Sequence, residues 1–217
     1  MKFLIGTKLG MSQVYSENGN IIPVTVIEVQ PNTVIQVKTK DKDGYEAVQV
    51  GAGIKKKVAK AQKGHFKHLG SFRFLKEFKS LNPKSPVGDL GSPLREVQDK
   101  DLQVGDKLDA SVFAPGDIVR VSGVTKGKGF QGVVKRHGFR GMPASHGAHF
   151  VLRHGGSIGQ RFPQHTLKGM RMAGRMGGKN FTVRGLKVVS VDTENGFVAV
   201  KGAVPGNNGS IVTVQSQ

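Results

Sequence analysis

His146, His149 and His154 stand in the pattern H-x-x-H-x-x-x-x-H, three imidazoles of a type that ligates zinc or, unmetallated, serves as a general base. Shortly before them, Gly127-Lys128-Gly129-Phe130-Gln131-Gly132 reads G-x-G-x-x-G, a pattern whose backbone amides cradle phosphate where a strand passes into a helix. Neither pattern is complete. The chain has no Cys, and no Asp or Glu falls between Ile118 and Val191, so nothing nearby closes a zinc site or orients a histidine. Dinucleotide binding requires a helix directly after Gly132 and an acid about twenty residues on to hold the ribose. Gly138, Gly141 and Pro143 argue against the helix, and the next acid is Asp192. A kinase-type loop further requires a lysine-bearing strand, a catalytic Asp and a metal-binding Asp. Ser145-His146 reads as a polar turn and not as part of a triad. A metal site, a nucleotide-dependent factor and an RNA-acting enzyme built on these histidines are therefore the weaker readings.

The same residues suit a polyphosphate backbone much better. Ile118 to Val191 carries 14 of the 33 Lys and Arg, 15 of the 31 Gly and five of the seven His. Glycine lets the main chain approach a phosphate closely, and spaced cations neutralise it and release its condensed counterions. The candidate contacts are Lys126, Lys128, Lys135, Arg136, Arg140, Arg153, Arg161, Lys168, Arg171, Arg175 and Lys179, together with Phe130, His146, His149 and His154. Phe130, Phe139, Phe150 and Phe162 punctuate the run at intervals of nine to twelve residues; they either stack on unpaired bases or pin the segment to itself. DNA fits less well than structured RNA, because no helix-turn-helix, basic zipper or zinc finger presents an element to a major groove. A membrane surface would call for an amphipathic basic helix, which is not found.

The elements that must position this segment are strands. Ile22–Gln30, Thr33–Lys40 and Glu46–Ala52 are rich in β-branched residues, and Asn18-Gly19, Pro31-Asn32 and Asp43-Gly44 supply reversals between them. Ile54–Lys63 contains good helix formers with a weak apolar face, and Phe72–Phe78 slightly favours a strand. Strand patterns return at Leu108–Phe113, Asp117–Val121, Thr182–Val191, Phe197–Lys201 and Ile211–Val214. The expectation is a mainly β chain of 217 residues, an antiparallel sheet or barrel formed by 1–120 and 181–217. It carries a small, helical and basic excursion at 54–80 and is interrupted by a glycine-rich loop at 121–180. The formal charge of +18 points to a polyanion, and it is segregated: Leu81 to Asp117 holds seven acids against four bases. No run of 18 apolar residues and no signal-peptide core is present, so a soluble cytoplasmic protein is expected.

Seven segments, IGTKLGMSQVY, NGNIIPVTVIE, SGVTKGKGFQGVVKRHGF, SHGAHF, GSIGQ, KGMRMAGRMGG and VKGAVPG, resemble in order and spacing the bacterial large-subunit ribosomal protein L-three family. GVTKGKGFQGVVKR is the most specific of them and accounts for the nucleotide-like pattern. The resemblance, which spans essentially the full length, implies a translation-protein-like β-barrel on the outside of the large subunit. It also implies a long loop that penetrates the RNA toward the peptidyl-transferase centre, and no enzyme activity or cofactor. It further implies a primary binder near the 3′ end of 23S rRNA that nucleates assembly, with ribosomal proteins L-fourteen and L-nineteen as neighbours. In some bacterial members the Gln of GSIGQ is methylated on its amide, which here is Gln160 and implies a glutamine methyltransferase. Gly155 stands where the family commonly has Pro, and Arg120 where it often has an acid or amide.

Overall fold

The computed structural model describes residues 2–79 and 102–217. The acids Asp89, Glu96, Asp99 and Asp101 of the expected acidic stretch lie outside the described residues. The chain forms two compact units, one of Met1–Gly123 with Phe181–Gln217 and one of Val124–Asn180. In chain order the elements are β1 (Phe3–Tyr15), β2 (Ile21–Glu28), β3 (Asn32–Lys38), α1 (Lys40–Asp43), β4 (Ala47–Ile54), α2 (Lys60–Phe66), β5 (Phe72–Lys79) and β6 (Lys107–Leu108). A turn of 3-10 helix (Ala110–Val112) precedes β7 (Ile118–Val124), and β8 (Phe130–Gln131), α3 (Val133–His137), β9 (Gly174–Arg175), β10 (Asn180–Asp192), β11 (Phe197–Lys201) and β12 (Ile211–Ser216) complete the chain. The chain is mainly β, as its β-branched segments require.

In the first unit six strands are hydrogen-bonded in the cyclic order β1-β12-β7-β10-β11-β2, a closed barrel. The pairings are antiparallel; β1 meets β12 from Phe3↔Gln215 to Thr7↔Ile211, and β2 from Thr7↔Glu28 to Tyr15↔Ile21 with a bulge between Lys8 and Gly10. Alternation explains the core. Val119 and Val121, Val198 and Val200, and Val212 and Val214 point inward two residues apart and meet Leu4, Ile27 and Val188. Each such side chain contributes about 1.5–3 kcal/mol by leaving water.

Four strands build a second sheet in the order β5-β4-β3-β6. The segment 1–120 is thus divided between two sheets, with Pro31-Asn32 leading from one to the other instead of reversing the chain into a hairpin. The second core gathers Phe3, Ile5, Val34, Val50, Ala52 and Phe78, with the Phe3 and Phe78 rings stacked 4.4 Å apart. Because Leu4 enters the barrel core while Phe3 and Ile5 enter this one, the start of β1, Phe3–Gly6, is buried on both faces, whereas Met11–Tyr15 are exposed. That strand escapes a reading by β-branched content because Gly6, Lys8 and Gly10 interrupt it. Gly6 is a packing requirement: a Cβ there would lie 2.5 Å from Ile27 Cγ2 and 2.8 Å from the Glu28 carbonyl. Lys8 is 8 % exposed and donates from Nζ to the carbonyls of Val204 (2.8 Å) and Gly206 (3.3 Å).

Three other expectations are corrected. Asp43-Gly44 does not form a two-residue hairpin turn: a helical turn, α1, ends at Gly44 in the left-handed conformation. Leu108–Phe113 is not a strand; Asp-Ala-Ser has little preference for a pleated surface, so pairing stops at Leu108 and a 3-10 turn follows. In the basic excursion the helix lies later than expected, at Lys60–Phe66, where Phe66 supplies the buried anchor that Ile54–Lys63 lacks. Phe72–Lys79 is a strand as favoured, paired with β4 from Ile54↔Phe72 to Ala47↔Lys79.

Among the ion pairs of the described residues in this unit are Lys38 to Glu77 at 2.8 Å and Lys2 to Asp117 at 2.7 Å. The Asp117 carboxyl is raised by partial burial, but the Ala114 backbone N–H and the Lys2 ammonium outweigh that and hold it below its ordinary value. A carboxyl lowered on folding stabilises the protein above its unfolded pKa and loses that contribution as pH falls through the folded value. Urea unfolding below about pH 4 should therefore show an acid-side loss of stability that Asp117→Asn flattens. In the same assay at neutral pH, Phe78→Ala should cost about 3–5 kcal/mol, against little change for an exposed substitution such as Asn18→Ala.

Candidate nucleic-acid interface

The two ends of the second unit are paired to each other. Thr125 N–H donates to the Lys179 carbonyl (2.9 Å) and Gly178 N–H to the Thr125 carbonyl (3.1 Å). Further along, Lys128 N–H bonds the Met176 carbonyl and Met176 N–H the Gly129 carbonyl, both at 2.9 Å. The ladder continues into β8 and β9, where Phe130 faces Arg175 and Gln131 faces Gly174. Glycine is obligatory at position 177, whose φ is +72° and whose missing Cβ would overlap the Lys126 carbonyl oxygen.

Beyond this ladder α3 does follow Gly132, contrary to expectation. Val133 and Val134 begin a single turn, which Gly138 ends with φ +73°. The turn is five residues long and no acid follows for a ribose, so the nucleotide reading gains nothing from it. Val133 is the one buried residue of 124–180, with Gly155 close enough that a Cβ would sit 3.4 Å from its Cγ2. The remainder is held by polar contacts. Arg136 donates from Nη1 to the Met172 carbonyl at 2.6 Å, with His137 Nε2 3.0 Å from the same oxygen. Met142 N–H bonds the Leu152 carbonyl at 3.1 Å and closes a loop across its base.

The candidate residues fall into two groups. Lys126, Lys128, Lys135, Arg140, Arg153, Arg161, Lys168, Arg171, Arg175 and Lys179 are all exposed. Arg136 is half-buried and spent on the Met172 carbonyl, so its structural use was missed by reading its charge alone. His146, His149 and His154 are exposed, and among the described residues no three His, Cys, Asp or Glu side chains converge as metal ligands. His146 and Phe150 both adopt φ of +59°.

The aromatic residues do not pin the segment to itself. Phe130 is 77 %, Phe150 97 % and Phe162 72 % exposed, and only Phe139, its ring 6.1 Å from that of His137, has an internal ring partner. Met142, Ile158, Leu167, Met170 and Met172 are also open. These aliphatic residues went unnoticed in the sequence, where the usable signal was apolar residues lacking any period of two or 3.6. Gln160 is exposed and lines a hollow with Ile158, Pro163, His165, Leu167 and Met170.

Fold and site together define a class, that of mainly β proteins carrying a glycine-rich, acid-free basic unit with almost no core of its own. Known proteins of this class match the chain directly. A family model described as ribosomal protein L3 matches residues 97–196. The large ribosomal subunit protein uL3 of Shouchella clausii is 44% identical, covering 99% of this chain and 97% of that relative. The uL3 proteins of Rhodococcus erythropolis and Mycobacterium avium are each 47% identical, covering 100% and 99% of this chain and 94% and 95% of the relatives. The chain belongs to the ribosomal protein L3 family.

Gly177→Ala should break the paired ends of the unit. Hydrogen exchange at the amides of Lys128 and Met176 should quicken at least several-fold, while amides of β11 and β12 keep their protection.

Proposed function

We propose that the protein is a structural constituent of the large ribosomal subunit, residing in the cytoplasmic ribosome, and that residues 124–180 bind ribosomal RNA. One observation carries the reading: eleven Lys and Arg and no acid occupy this unit, and a single residue in it is buried. A segment so charged and so short of apolar burial does not stabilise itself against chain entropy and self-repulsion. RNA phosphates supply the missing counter-charge, and its grooves and unpaired bases cover Phe130, Phe150 and Phe162. The protein acts by binding and carries out no catalysis.

In finer detail, the barrel sits on the outside of the subunit and the basic unit reaches between RNA helices toward the peptidyl-transferase centre. Binding is early and lies near the 3′ end of 23S rRNA, so that it nucleates assembly, with ribosomal proteins L-fourteen and L-nineteen as neighbours. The exposed amide of Gln160 is the target of a glutamine methyltransferase; a methyl there removes one donor and leaves the acceptor and the charge unchanged.

The test is RNA binding by the full chain as a function of salt. Replacing Lys126, Lys128, Arg153, Arg161, Lys168 and Arg171 together by Gln should lower the slope of log K against log salt by about one for each phosphate no longer neutralised. An unchanged slope and affinity would remove the basic unit from the interface.

A further inference from the structure

The basic unit does not hold all the unneutralised charge. Between the paired ends of β4 and β5 the chain runs through a loop, 55–71, with six lysines and no acid. The loop is closed at its root, where Lys55 N–H donates to the Ser71 carbonyl at 3.1 Å directly beyond the Ile54↔Phe72 pair. Its interior is fixed by α2. Phe66 is 1 % exposed and meets the Phe72 ring edge-on at 5.5 Å, and His65 Nε2 lies 2.7 Å from Gln49 Oε1. Lys55, Lys56, Lys57, Lys60, Lys63 and Lys67 are all exposed. The acid of the adjoining β5, Glu77, is bonded to Lys38, Tyr45 and Gln49.

We propose that this lysine loop is a second RNA-backbone site, separate from residues 124–180. The inference rests on the reading of the partner as large-subunit RNA. What distinguishes an RNA partner from an acidic protein is the composition of the face. Within 55–71 the loop turns Phe66 inward and half-buries Val58 and Leu69, so beyond Ile54 at its root, which is exposed, it offers a partner ammonium groups and no large exposed apolar side chain. Lysine is depleted from protein–protein interfaces, which are built around apolar and aromatic anchors. As a compact point charge on a flexible stem, it follows a phosphate backbone without demanding one bidentate geometry. The root pair at Lys55 and Ser71 and the helix anchored by Phe66, which carries Lys60 and Lys63, keep the six cations on one short closed loop, so a field is present before any partner arrives.

The experiment uses the full chain and protein-free large-subunit RNA. Lys55, Lys56, Lys57, Lys60, Lys63 and Lys67 are replaced together by Gln, alone and on top of the basic-unit substitutions, and binding is followed across salt. The loop variant should bind about tenfold or more weakly near physiological salt and show a salt slope flatter by several units, and the effects of the two sets should add. Lysine acetylation of the unmodified protein, read by mass spectrometry with and without RNA, should show these six lysines protected; this readout is independent of any variant's folding. Unchanged affinity and slope in the loop variant, or lysines protected within the subunit but not by RNA alone, would overturn the proposal, the latter assigning the loop to a protein neighbour. If the loop set weakens binding while the basic-unit set does not, the reading of residues 124–180 fails and the loop stands.

Discussion

Like charges held close together repel, and a folded chain ordinarily answers this by interleaving acids or by burying enough apolar surface to override it. From Val124 to Asn180 the protein does neither. Its cations have no carboxylate among them, Val133 alone is buried, and the large apolar side chains face outward. The local structure follows from that constraint. Backbone pairing at the two ends, one helical turn, and Arg136 and His137 against one carbonyl fix the path of the chain using short-range interactions that need no core. Side chains that elsewhere would form a core remain free to meet a surface of opposite charge.

The first unit shows the opposite economy. The start of β1 is buried on both faces, so one strand serves the barrel core through Leu4 and the second core through Phe3 and Ile5. Its glycines and its buried lysine, which weaken it as a strand pattern, let the crossing with Ile27 and the loop around Val204 pack closely. Nearly all the buried residues therefore lie in this unit, and the loop 55–71, which carries six exposed lysines, is anchored to it by Phe66.

Much of this was legible from residue types alone. The paired valines of β7, β11 and β12 announce strands through alternation, and the charge segregation announces the basic unit, because both are properties of local composition. The division into two sheets was not legible, since Pro31-Asn32 looks the same whether the next strand turns back or crosses to another layer. β1 was hidden by its glycines, and the reason for Gly6 lies in Ile27 and Glu28, side chain and carbonyl of a different strand. Within the basic unit, Arg136 read as one more phosphate ligand, although its guanidinium serves a carbonyl 36 residues away. The α3 turn was obscured because Gly138 limits it to five residues without preventing it. Except for the α3 turn, whose limit is set locally by Gly138, the deciding partner is distant in sequence.

The pairing of β1 with β12 bears on the order in which the molecule is made. A chain emerging from its N-terminus presents β1 before every other strand of the ring, yet the partner along one edge of that strand, residues 211–216, is synthesised after all of them. The ring of six strands has no closed form until then, whereas residues 124–180 have already emerged in full. The basic segment is thus available to nucleic acid while its own framework is still incomplete, and at translation rates of about 5–20 residues per second that interval lasts seconds. Vectorial synthesis gives the part of the protein that lacks a core a head start over the part that has one.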